Sequence, residues 1–375
     1  MHLRSAFALL AALAGFTSTP AWSAHEGLPP LVIAQSLPLT GVAFPIANRV
    51  QAGAKALVDR VNAAGGINGR RLELLTLDDG GDRARLSANL RSLVQRQGAL
   101  AVVDCLGEAA CDEAAAVTRG LGVPLVGPFS GAAALRVPAL RHVFTLRPDD
   151  RREADVLVRQ LTVTGIARLA WLADGDEPAR EAALGQALSA AGVQATKIAV
   201  QPRADSLDDA FQAVAEAAPQ ALLLSLGPAT LDAISHGDLA ARKELPATVV
   251  ALSSVGLTQV TRLFRDKVIG FTSVVPIPEN SQLPLVREFE RDVDNFVGPE
   301  AVSFEGLAAY LHLRVLAEAL RRGGARIDAT RLADVIEGLG TLDLGGWRMH
   351  FGADRHQASE HVEIGLRTRD GQLRR

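Results

Sequence analysis

Short apolar runs alternate with amphipathic segments along this chain, and that alternation constrains its fold more than any other feature of the sequence. An apolar run at residues 31–36 precedes a segment at residues 48–64 whose apolar side chains recur three and four positions apart, as on one face of a helix. Gly65 and Gly66 are expected to end that helix, because glycine adopts the left-handed backbone that follows many helix C-termini. The next apolar run occupies residues 72–77. Strands that alternate with helices in this way predict a parallel sheet with helices on both faces.

The same unit recurs in two blocks of the chain, so the sequence predicts two lobes. The strand segments are nearly all apolar, as expected of strands that helices cover on both sides. The fold class that we expect is therefore α/β, with two doubly wound parallel-sheet lobes. Strands are predicted at residues 31–36, 72–77, 99–103 and 123–126 in the first block, at 167–173, 193–200, 220–225 and 247–252 in the second, and at 347–351 and 361–367 near the end.

The first 23 residues have the composition of a secretory signal peptide. Arg4 provides a positive start, an apolar stretch covers residues 6–16, and Ala21 and Ser23 form a small-x-small cleavage site. The apolar stretch is shorter than the ~20 residues that span a bilayer, and no later segment is apolar enough to do so. A chain cut after Ser23 is expected in the periplasm, without stable membrane insertion.

The charge balance argues against a nucleic-acid partner. The chain has 39 basic and 42 acidic residues, and its formal net charge is -3. Without a basic excess, the surface as a whole does not attract phosphate backbones or anionic lipids. The hydrophobic fraction of 48% is typical of a globular protein, and 375 residues are enough for two domains.

The two cysteines of the chain are Cys105 and Cys111. In an oxidising compartment they are able to pair and brace the loop between them. The alternative is a pair of buried free thiols, since spacing alone does not show whether the two side chains face each other. The sequence leaves both alternatives open.

Candidate ligand contacts lie in the loops that follow the predicted strands, because open parallel sheets bind ligands beyond the carboxyl ends of their strands. Several of these loops precede helices, whose free N–H groups attract anions. In one loop the acidic residues Asp174, Asp176 and Glu177 either bind a cation or simply complement a helix dipole. The loops are residues 38–41, 105–109, 127–131, 174–177, 226–228 and 253–256.

No catalytic group, metal site or cofactor is expected. The glycines at residues 65–69 follow a helix and precede a strand, which is the reverse of a dinucleotide-binding turn. Ser130 stands one position too late for the nucleophile of a G-x-S-x-G turn. The histidines near the C-terminus have no standard zinc-ligand spacing; they are His350, His356 and His361.

Several segments resemble the branched-chain amino-acid-binding family of periplasmic proteins, which serve ABC transporters. The most specific is Asn-Ala-Ala-Gly-Gly-Ile-Asn-Gly-Arg at residues 62–70, and an acidic pair follows at residues 78–79. The resemblance implies a type I periplasmic binding protein fold, in which a hinge of three crossovers joins two lobes. It covers essentially the whole mature chain and continues through residues 36–41, 123–132, 274–276 and 304–306.

The resemblance also sets the expected lobe boundaries. Lobe 1 would combine residues 28–146 with residues 277–345, and lobe 2 would combine residues 147–276 with residues 346–375. The three crossovers are expected near residues 146–148, 276–278 and 345–346.

The function that the resemblance implies is capture of a small polar solute, such as an amino acid, a carboxylate or an amide, on closure of the hinge. A monomer would then deliver the solute to an ABC transporter permease in the inner membrane, without a cofactor and without catalysis. A periplasmic sensor of the same fold, signalling to a membrane partner, is the alternative. Carried over residue by residue, the family's ligand contacts fall on Phe44, Ile46, Leu106, Gly107, Glu108, Phe129, Ser130, Gly131, Asp174, Leu226 and Ser253.

Two of these positions bear on the charge of the ligand. Ser130 retains a hydroxyl for a ligand carboxylate, whereas Ser253 stands where the family has the acid that pairs with a ligand ammonium. A buried ammonium without its partner costs roughly 3–5 kcal/mol, which is a factor of hundreds or more in affinity. We therefore expect that the ligand lacks an α-ammonium group, or that Glu108 or Asp174 replaces the missing acid.

Overall fold

The computed structural model of the protein describes residues 28–374, apart from residues 238, 240, 241, 244 and 280. The predicted signal peptide at residues 1–23 lies outside the described residues. The described chain forms two separate, mainly parallel sheets flanked by helices, which confirms the predicted fold class.

The first sheet consists of five parallel strands. Its elements are β1 (Leu31–Leu37), α1 (Phe44–Ala63), β2 (Leu72–Asp78), α2 (Arg83–Gln95), β3 (Ala101–Val103), α3 (Glu108–Leu121), β4 (Leu125–Val126) and β5 (Val143–Phe144). The strand order is β2-β1-β3-β4-β5. Every residue of β1 is buried, as its apolar sequence predicts for a strand with neighbours on both sides.

The chain then crosses to the second sheet. The elements of this block are α4 (Asp150–Val163), β6 (Arg168–Ala173), α5 (Pro178–Ala190), β7 (Gln194–Ala199), α6 (Ala204–Ala217), β8 (Ala221–Ser225), α7 (Pro228–Ser235), β9 (Thr248–Ala251), α8 (Leu257–Leu263) and β10 (Val268–Ser273). These five strands are parallel and lie in the order β10-β9-β8-β6-β7, with β7 at one edge.

The rest of the chain adds elements to both halves of the structure. We call the part built on the first sheet the first half and the part built on the second sheet the second half. It comprises α9 (Pro284–Phe296), α10 (Phe304–Gly323), α11 (Ala329–Glu337), β11 (Thr341–Asp343), β12 (Arg348–His350), β13 (Glu363–Arg367) and β14 (Leu373–Arg374). β13 joins β10 antiparallel, so the second sheet has the order β14-β13-β10-β9-β8-β6-β7. Helices α9 and α10 pack on α1 in the core of the first half.

Glycine permits the close approach of α1 and α10. A Cβ atom on Gly53 would lie 1.9 Å from the carbonyl oxygen of Gly306, so any larger residue would push the two helices apart. Because α10 supplies one wall of the site described below, this contact fixes the position of that wall.

The third crossover lies later in the chain than the predicted position at residues 345–346, so lobe 2 does not begin again at residue 346. Gly345 and Gly346 form the turn of the β11–β12 hairpin, where both amides donate to Asp343 Oδ1 at 3.0 and 2.7 Å. The chain stays with the first half beyond that turn, since Thr145 N donates to His356 O at 2.9 Å and Ala358 N donates to Thr145 O at 2.8 Å. The crossing into the second sheet therefore falls between Ala358 and β13. The glycine pair forms the turn of a hairpin and is not part of the hinge.

Candidate functional site

A cavity of about 330 Å³ lies between the two halves. Leu106 follows β3 and Phe129 follows β4 on the first side, while Leu226 follows β8 and Ser253 follows β9 on the second. The walls are thus built from loops beyond the carboxyl ends of strands, where open parallel sheets bind ligands. The volume is at the small end of the roughly 300–1,000 Å³ typical of ligand pockets.

The cavity brings together most of the contact residues predicted from the sequence. Two of them meet the opposite half: a Cβ on Gly256 would lie 3.2 Å from Ile46 Cδ1, and a Cβ on Gly107 would lie 2.9 Å from Glu177 Oε1. Such close approaches show that the two halves are closed upon each other. The predicted residues that line the cavity are Ile46, Leu106, Gly107, Glu108, Phe129, Leu226 and Ser253.

Ser130 and Gly131 lie outside the lining, in contrast to the expected carboxylate cradle. The Ser130 hydroxyl is buried and accepts a hydrogen bond from Ala132 N at 3.2 Å, so it braces its own loop. Gly131 packs against Asp150, whose Oδ1 would be 1.9 Å from a Cβ at this position. Both residues support the loop that presents Phe129 and do not themselves reach the cavity.

Phe44 and Asp174 also lie outside the lining. Phe44 is the first residue of α1 and its side chain is 45% exposed. Asp174 accepts hydrogen bonds from Gly227 N at 2.7 Å and from Asp176 N at 3.1 Å. Its carboxylate therefore holds two neighbouring loops together and is not free to replace the missing acid.

The lining also contains side chains that the sequence reasoning did not select. Arg180 follows Glu177 by three positions on a helix, a spacing typical of exposed ion pairs, so nothing in the sequence marks it as buried. Helix α10 is apolar around most of its circumference, so the face that meets the cavity does not stand out. The side chains concerned are Arg147, Arg180, Phe304, Glu305, His312 and Trp347.

Arg180, in the first turn of α5, is the unusual cation of this site because it is only 2% exposed. Its Nη1 donates to Ser254 Oγ at 2.9 Å, and Glu177 Oε2 lies 3.9 Å away. Its Nε and Nη2 atoms are buried without a hydrogen-bond partner among the described residues. Buried N–H groups of a charged side chain are costly to leave unpaired. The planar guanidinium is therefore suited to receive a carboxylate from a ligand.

Arg147 lines the cavity as well, but its charge is already balanced. Its Nη2 lies 2.7 Å from Glu153 Oε2 and 3.8 Å from Asp150 Oδ1. The other oxygen of the buried Glu153 accepts from Ser253 N at 2.7 Å and from the Thr272 hydroxyl. The acid closest to Ser253 is thus fully occupied, and it offers no free oxygen to a ligand ammonium.

Two glutamates connect the halves across the cleft. Glu108 N donates to Glu177 Oε1 at 3.0 Å, and Ala179 N donates to Glu108 Oε2 at 2.9 Å. Each carboxylate therefore caps the N-terminus of the helix on the opposite side, α3 or α5, where free N–H groups and the helix dipole favour an acceptor. We call this pair the reciprocal caps.

Burial weakens the negative charge of the acids at the cavity. It raises the pKa of Glu177 to about 6, although nearby Arg180 and the Glu108 N–H group act in the opposite direction. Burial also raises the pKa values of Glu108, Asp176 and Glu305. A raised pKa means that burial shifts each of these acids toward its uncharged carboxyl form.

A buried polar chain orients one aromatic wall of the cavity. His312 Nδ1 lies 2.6 Å from Asp104 Oδ1, and Gln35 Nε2 donates to Asp104 Oδ2 at 2.6 Å. Thr76 Oγ1 in turn donates to Gln35 Oε1 at 2.8 Å. The imidazole packs edge-on against Phe129, with ring centroids 5.1 Å apart. These contacts fix both rings in place.

Cys105 and Cys111 are joined by a disulfide, with their Cα atoms 5.3 Å apart. The bond encloses the turn that carries Leu106, Gly107 and Glu108 into the cavity. Of the two alternatives that the sequence left open, the structure contains the bonded one.

Among the described residues, no group of three or more His, Cys, Asp or Glu side chains is placed to hold a metal ion. In the same part of the chain, no helix combines the length and the apolar character needed to cross a membrane.

Two α/β halves that close on a small cavity at the carboxyl ends of their strands define a ligand-binding protein of the hinged, two-lobed class. The sequence pattern of the periplasmic binding protein family matches residues 30–367. The chain therefore belongs to that family, whose members are extracytoplasmic ligand-binding proteins of transport systems and not enzymes. Comparison with curated protein sequences gives no significant match.

Three solved structures illustrate the likeness. A substrate-binding periplasmic protein from Ralstonia solanacearum is 26% identical, with a TM-score of 0.81 over 92% of this chain and 99% of that one. The branched-chain amino acid transporter substrate binding protein LivJ from Streptococcus pneumoniae, in complex with isoleucine, is 16% identical, with a TM-score of 0.76 over 92% and 97%. A fatty acid ABC transporter substrate-binding protein from Thermomonospora curvata is 16% identical, with a TM-score of 0.77 over 92% and 90%. The last two share the fold with this chain.

Proposed function

We propose that this protein, exported by cleavage after Ser23, captures a small carboxylate that lacks an α-ammonium group and delivers it as a monomer to an ABC transporter permease in the inner membrane. The observation that carries this proposal is Arg180, which is buried beside the cavity with two guanidinium nitrogens unpaired. A ligand carboxylate would satisfy both nitrogens and balance the charge.

The second part of the proposal concerns the ammonium group. Ser253 offers no charge to a cation, and the neighbouring Glu153 is occupied by Arg147, Ser253 N and Thr272. Asp174 is occupied by backbone amides. A buried ammonium placed there would lack a partner, at a cost of roughly 3–5 kcal/mol. The proteins that share this fold include one in complex with isoleucine and one from a fatty acid transporter, so the fold is compatible with ligands of either kind.

Calorimetry on the mature protein tests this with three compounds that share one carbon skeleton: leucine, 4-methylpentanoate and 4-methylpentanamide. We expect 4-methylpentanoate to bind at least a hundredfold more tightly than leucine, and more tightly than the uncharged amide. Micromolar binding of leucine would contradict the proposal. In that case Asp176→Asn and Glu305→Gln, made separately, identify the acid that holds the ammonium, because both side chains line the cavity and neither belongs to the reciprocal caps.

Variants of Arg180 test the carboxylate contact directly. Arg180→Gln should weaken 4-methylpentanoate binding tenfold to a hundredfold, since a hydrogen bond to a charged group is worth roughly 1.5–3 kcal/mol. Arg180→Lys keeps the charge but loses the planar fork, so it should give an intermediate loss. Arg91→Gln, at an exposed position of α2, is the matched control and should bind as the unaltered protein does. Equal affinity in Arg180→Gln and Arg91→Gln would refute the assignment.

A further inference from the structure

Resting on the proposed function, we infer the class and the orientation of the ligand. It is a monocarboxylic acid with an apolar body, and an aromatic ring fits that body best. The carboxylate points toward the second sheet, at Arg180, and the apolar body lies against the first half. This reverses the orientation expected from Ser130 in the sequence.

The first half provides an apolar surface. Phe129, Phe304 and Trp347 line the cavity, and we call these three rings the aromatic wall. Each is held by an edge-on contact with another ring: Phe129 with His312 at 5.1 Å, Phe304 with Phe271 at 5.6 Å and Trp347 with His361 at 6.0 Å between centroids. Rings fixed in this manner present large apolar areas without losing much further conformational freedom on binding.

The first half has no free carboxylate cradle. Ser130 lies outside the lining, and Leu106 and Gly107 have no side-chain hydroxyl to offer a carboxylate. The N-terminus of α3 would attract an anion, but its Glu108 N–H already donates to Glu177 at 3.0 Å. A ligand carboxylate placed here would compete with Glu177 and meet its charge at close range.

The second half contains Arg180, which has two donors unpaired within the described part of the chain, whereas Arg147 of the lining has one, its Nε. Arg180 Nε and Nη2 are buried there without partners among the described residues, and Ser254 Oγ holds Nη1 in position at 2.9 Å. Glu305 is the acid on the first side, and burial raises its pKa, which favours the neutral form. The cavity thus has the Arg180 guanidinium at one side, and the aromatic wall together with Glu108 and Glu305 at the other. An acid with one charged end and one apolar end matches this polarity.

The cavity volume of about 330 Å³ limits the apolar body to a small group. A single ring on a short chain is compatible with that volume. 3-Phenylpropanoate is therefore the probe that we choose, together with the unbranched acids from acetate to pentanoate and the dicarboxylate succinate.

Calorimetry with this series tests the inference. Each methylene from acetate to pentanoate should raise affinity about fourfold, which is about 0.8 kcal/mol for a buried methylene group. 3-Phenylpropanoate should bind most tightly, and succinate should bind less tightly than pentanoate. Affinity that stays flat with chain length, or succinate that binds more tightly than 3-phenylpropanoate, would overturn the inference. Neither result would affect the proposed function, which fails if carboxylates bind no better than their amides or if leucine binds.

Variants of the aromatic wall test the orientation. Phe129→Ala should weaken 3-phenylpropanoate at least tenfold and leave acetate affinity within twofold, whereas Arg180→Gln should weaken both acids by a similar factor. Phe129→Leu, which preserves most of the packing, should give a smaller loss and guards against misfolding of the alanine variant. Phe44→Ala, an exposed ring outside the lining, is the matched control. Loss of acetate and 3-phenylpropanoate binding to the same extent in both Phe129 variants would place the carboxylate on the first side and contradict the inference.

Discussion

Glu177 makes ligand affinity depend on pH, and the sign of the dependence follows from its burial in the closed form. In that form the residue is 9% exposed and its pKa is raised from 4.5 to about 6. Where the open form exposes this carboxyl to water, its pKa is near the ordinary value. Closure then takes up protons, so protonation favours closure most below pH 4.5, and this contribution is lost as the pH rises from 4.5 through about 6.

The magnitude follows from the same two pKa values. A rise from 4.5 to about 6 corresponds to about 2 kcal/mol between the charged and neutral forms. Affinity for 3-phenylpropanoate should therefore fall by about thirtyfold from below about pH 4 to above about pH 7, and about fourfold of that fall lies between pH 5.5 and pH 7.5. The charged groups that act on Glu177 are Arg180, which lowers its pKa, and Asp176 and Asp150, which raise it. A ligand carboxylate on Arg180 would raise it further.

Two substitutions separate the charge of Glu177 from its role as a cap. Glu177→Gln keeps an oxygen for Glu108 N but does not ionise, so it should bind more tightly than the unaltered protein at pH 7.5 and show a flat profile from pH 5.5 to 7.5. Glu177→Ala also removes the acceptor, which is worth roughly 0.5–2 kcal/mol for a helix cap. It should bind about two- to thirtyfold more weakly than Glu177→Gln.

Calorimetry of 3-phenylpropanoate across this pH range is the assay, and the acid stays ionised over most of it. Glu216→Gln, an exposed glutamate on α6, is the control and should retain the original profile. If Glu177→Gln binds more weakly than the unaltered protein at pH 7.5, the charge of Glu177 stabilises the closed form, and the reasoning is refuted.

Three further predictions concern closure and the loop at its centre. Gly107→Ala should weaken binding at least tenfold in calorimetry, because Gly107 has a φ of +85° and the new Cβ would lie 2.9 Å from Glu177 Oε1; binding equal to that of the unaltered protein would show that the loop shifts freely. Replacing both Cys105 and Cys111 by alanine should lower the free energy of unfolding by about 2 kcal/mol, measured by urea denaturation; an unchanged midpoint would mean that packing alone holds the loop. The radius of gyration from X-ray scattering should fall when 3-phenylpropanoate is added, because the reciprocal caps form only when the halves meet; a constant radius at saturation would indicate a preclosed protein.

The alternation of strands and helices could be predicted from the sequence because it depends on neighbouring residues. The apolar run at β1 and the amphipathic segment at α1 occupy nearly the predicted positions. β10 was not predicted, although it lies inside the second sheet between β9 and β13. Its six residues include Gly270 and two hydroxyl residues, Thr272 and Ser273, so the segment lacks the continuous apolar character that marks the other strands.

The candidate site could be predicted only as a set of loops. The rule that ligands lie beyond strand ends selects Leu106, Phe129 and Ser253, because chain direction fixes where each strand ends. The rule does not decide which side chain of a loop turns inward. Ser130 turns into its own loop and bonds Ala132 N, whereas its neighbour Phe129 reaches the cavity.

The chemistry of the site was decided by the tertiary structure. Glu177 and Arg180 are three positions apart on a helix, and the sequence there is compatible with an exposed ion pair. Closure buries both, because it brings α3, which starts 69 residues before Glu177, against the start of α5. The carboxylate is thereby drawn toward Glu108 N, and the guanidinium keeps two buried nitrogens without a partner among the described residues. Local periodicity fixes which elements form, but desolvation and pairing of charges depend on contacts between segments far apart in the chain, and only the assembled halves provide these.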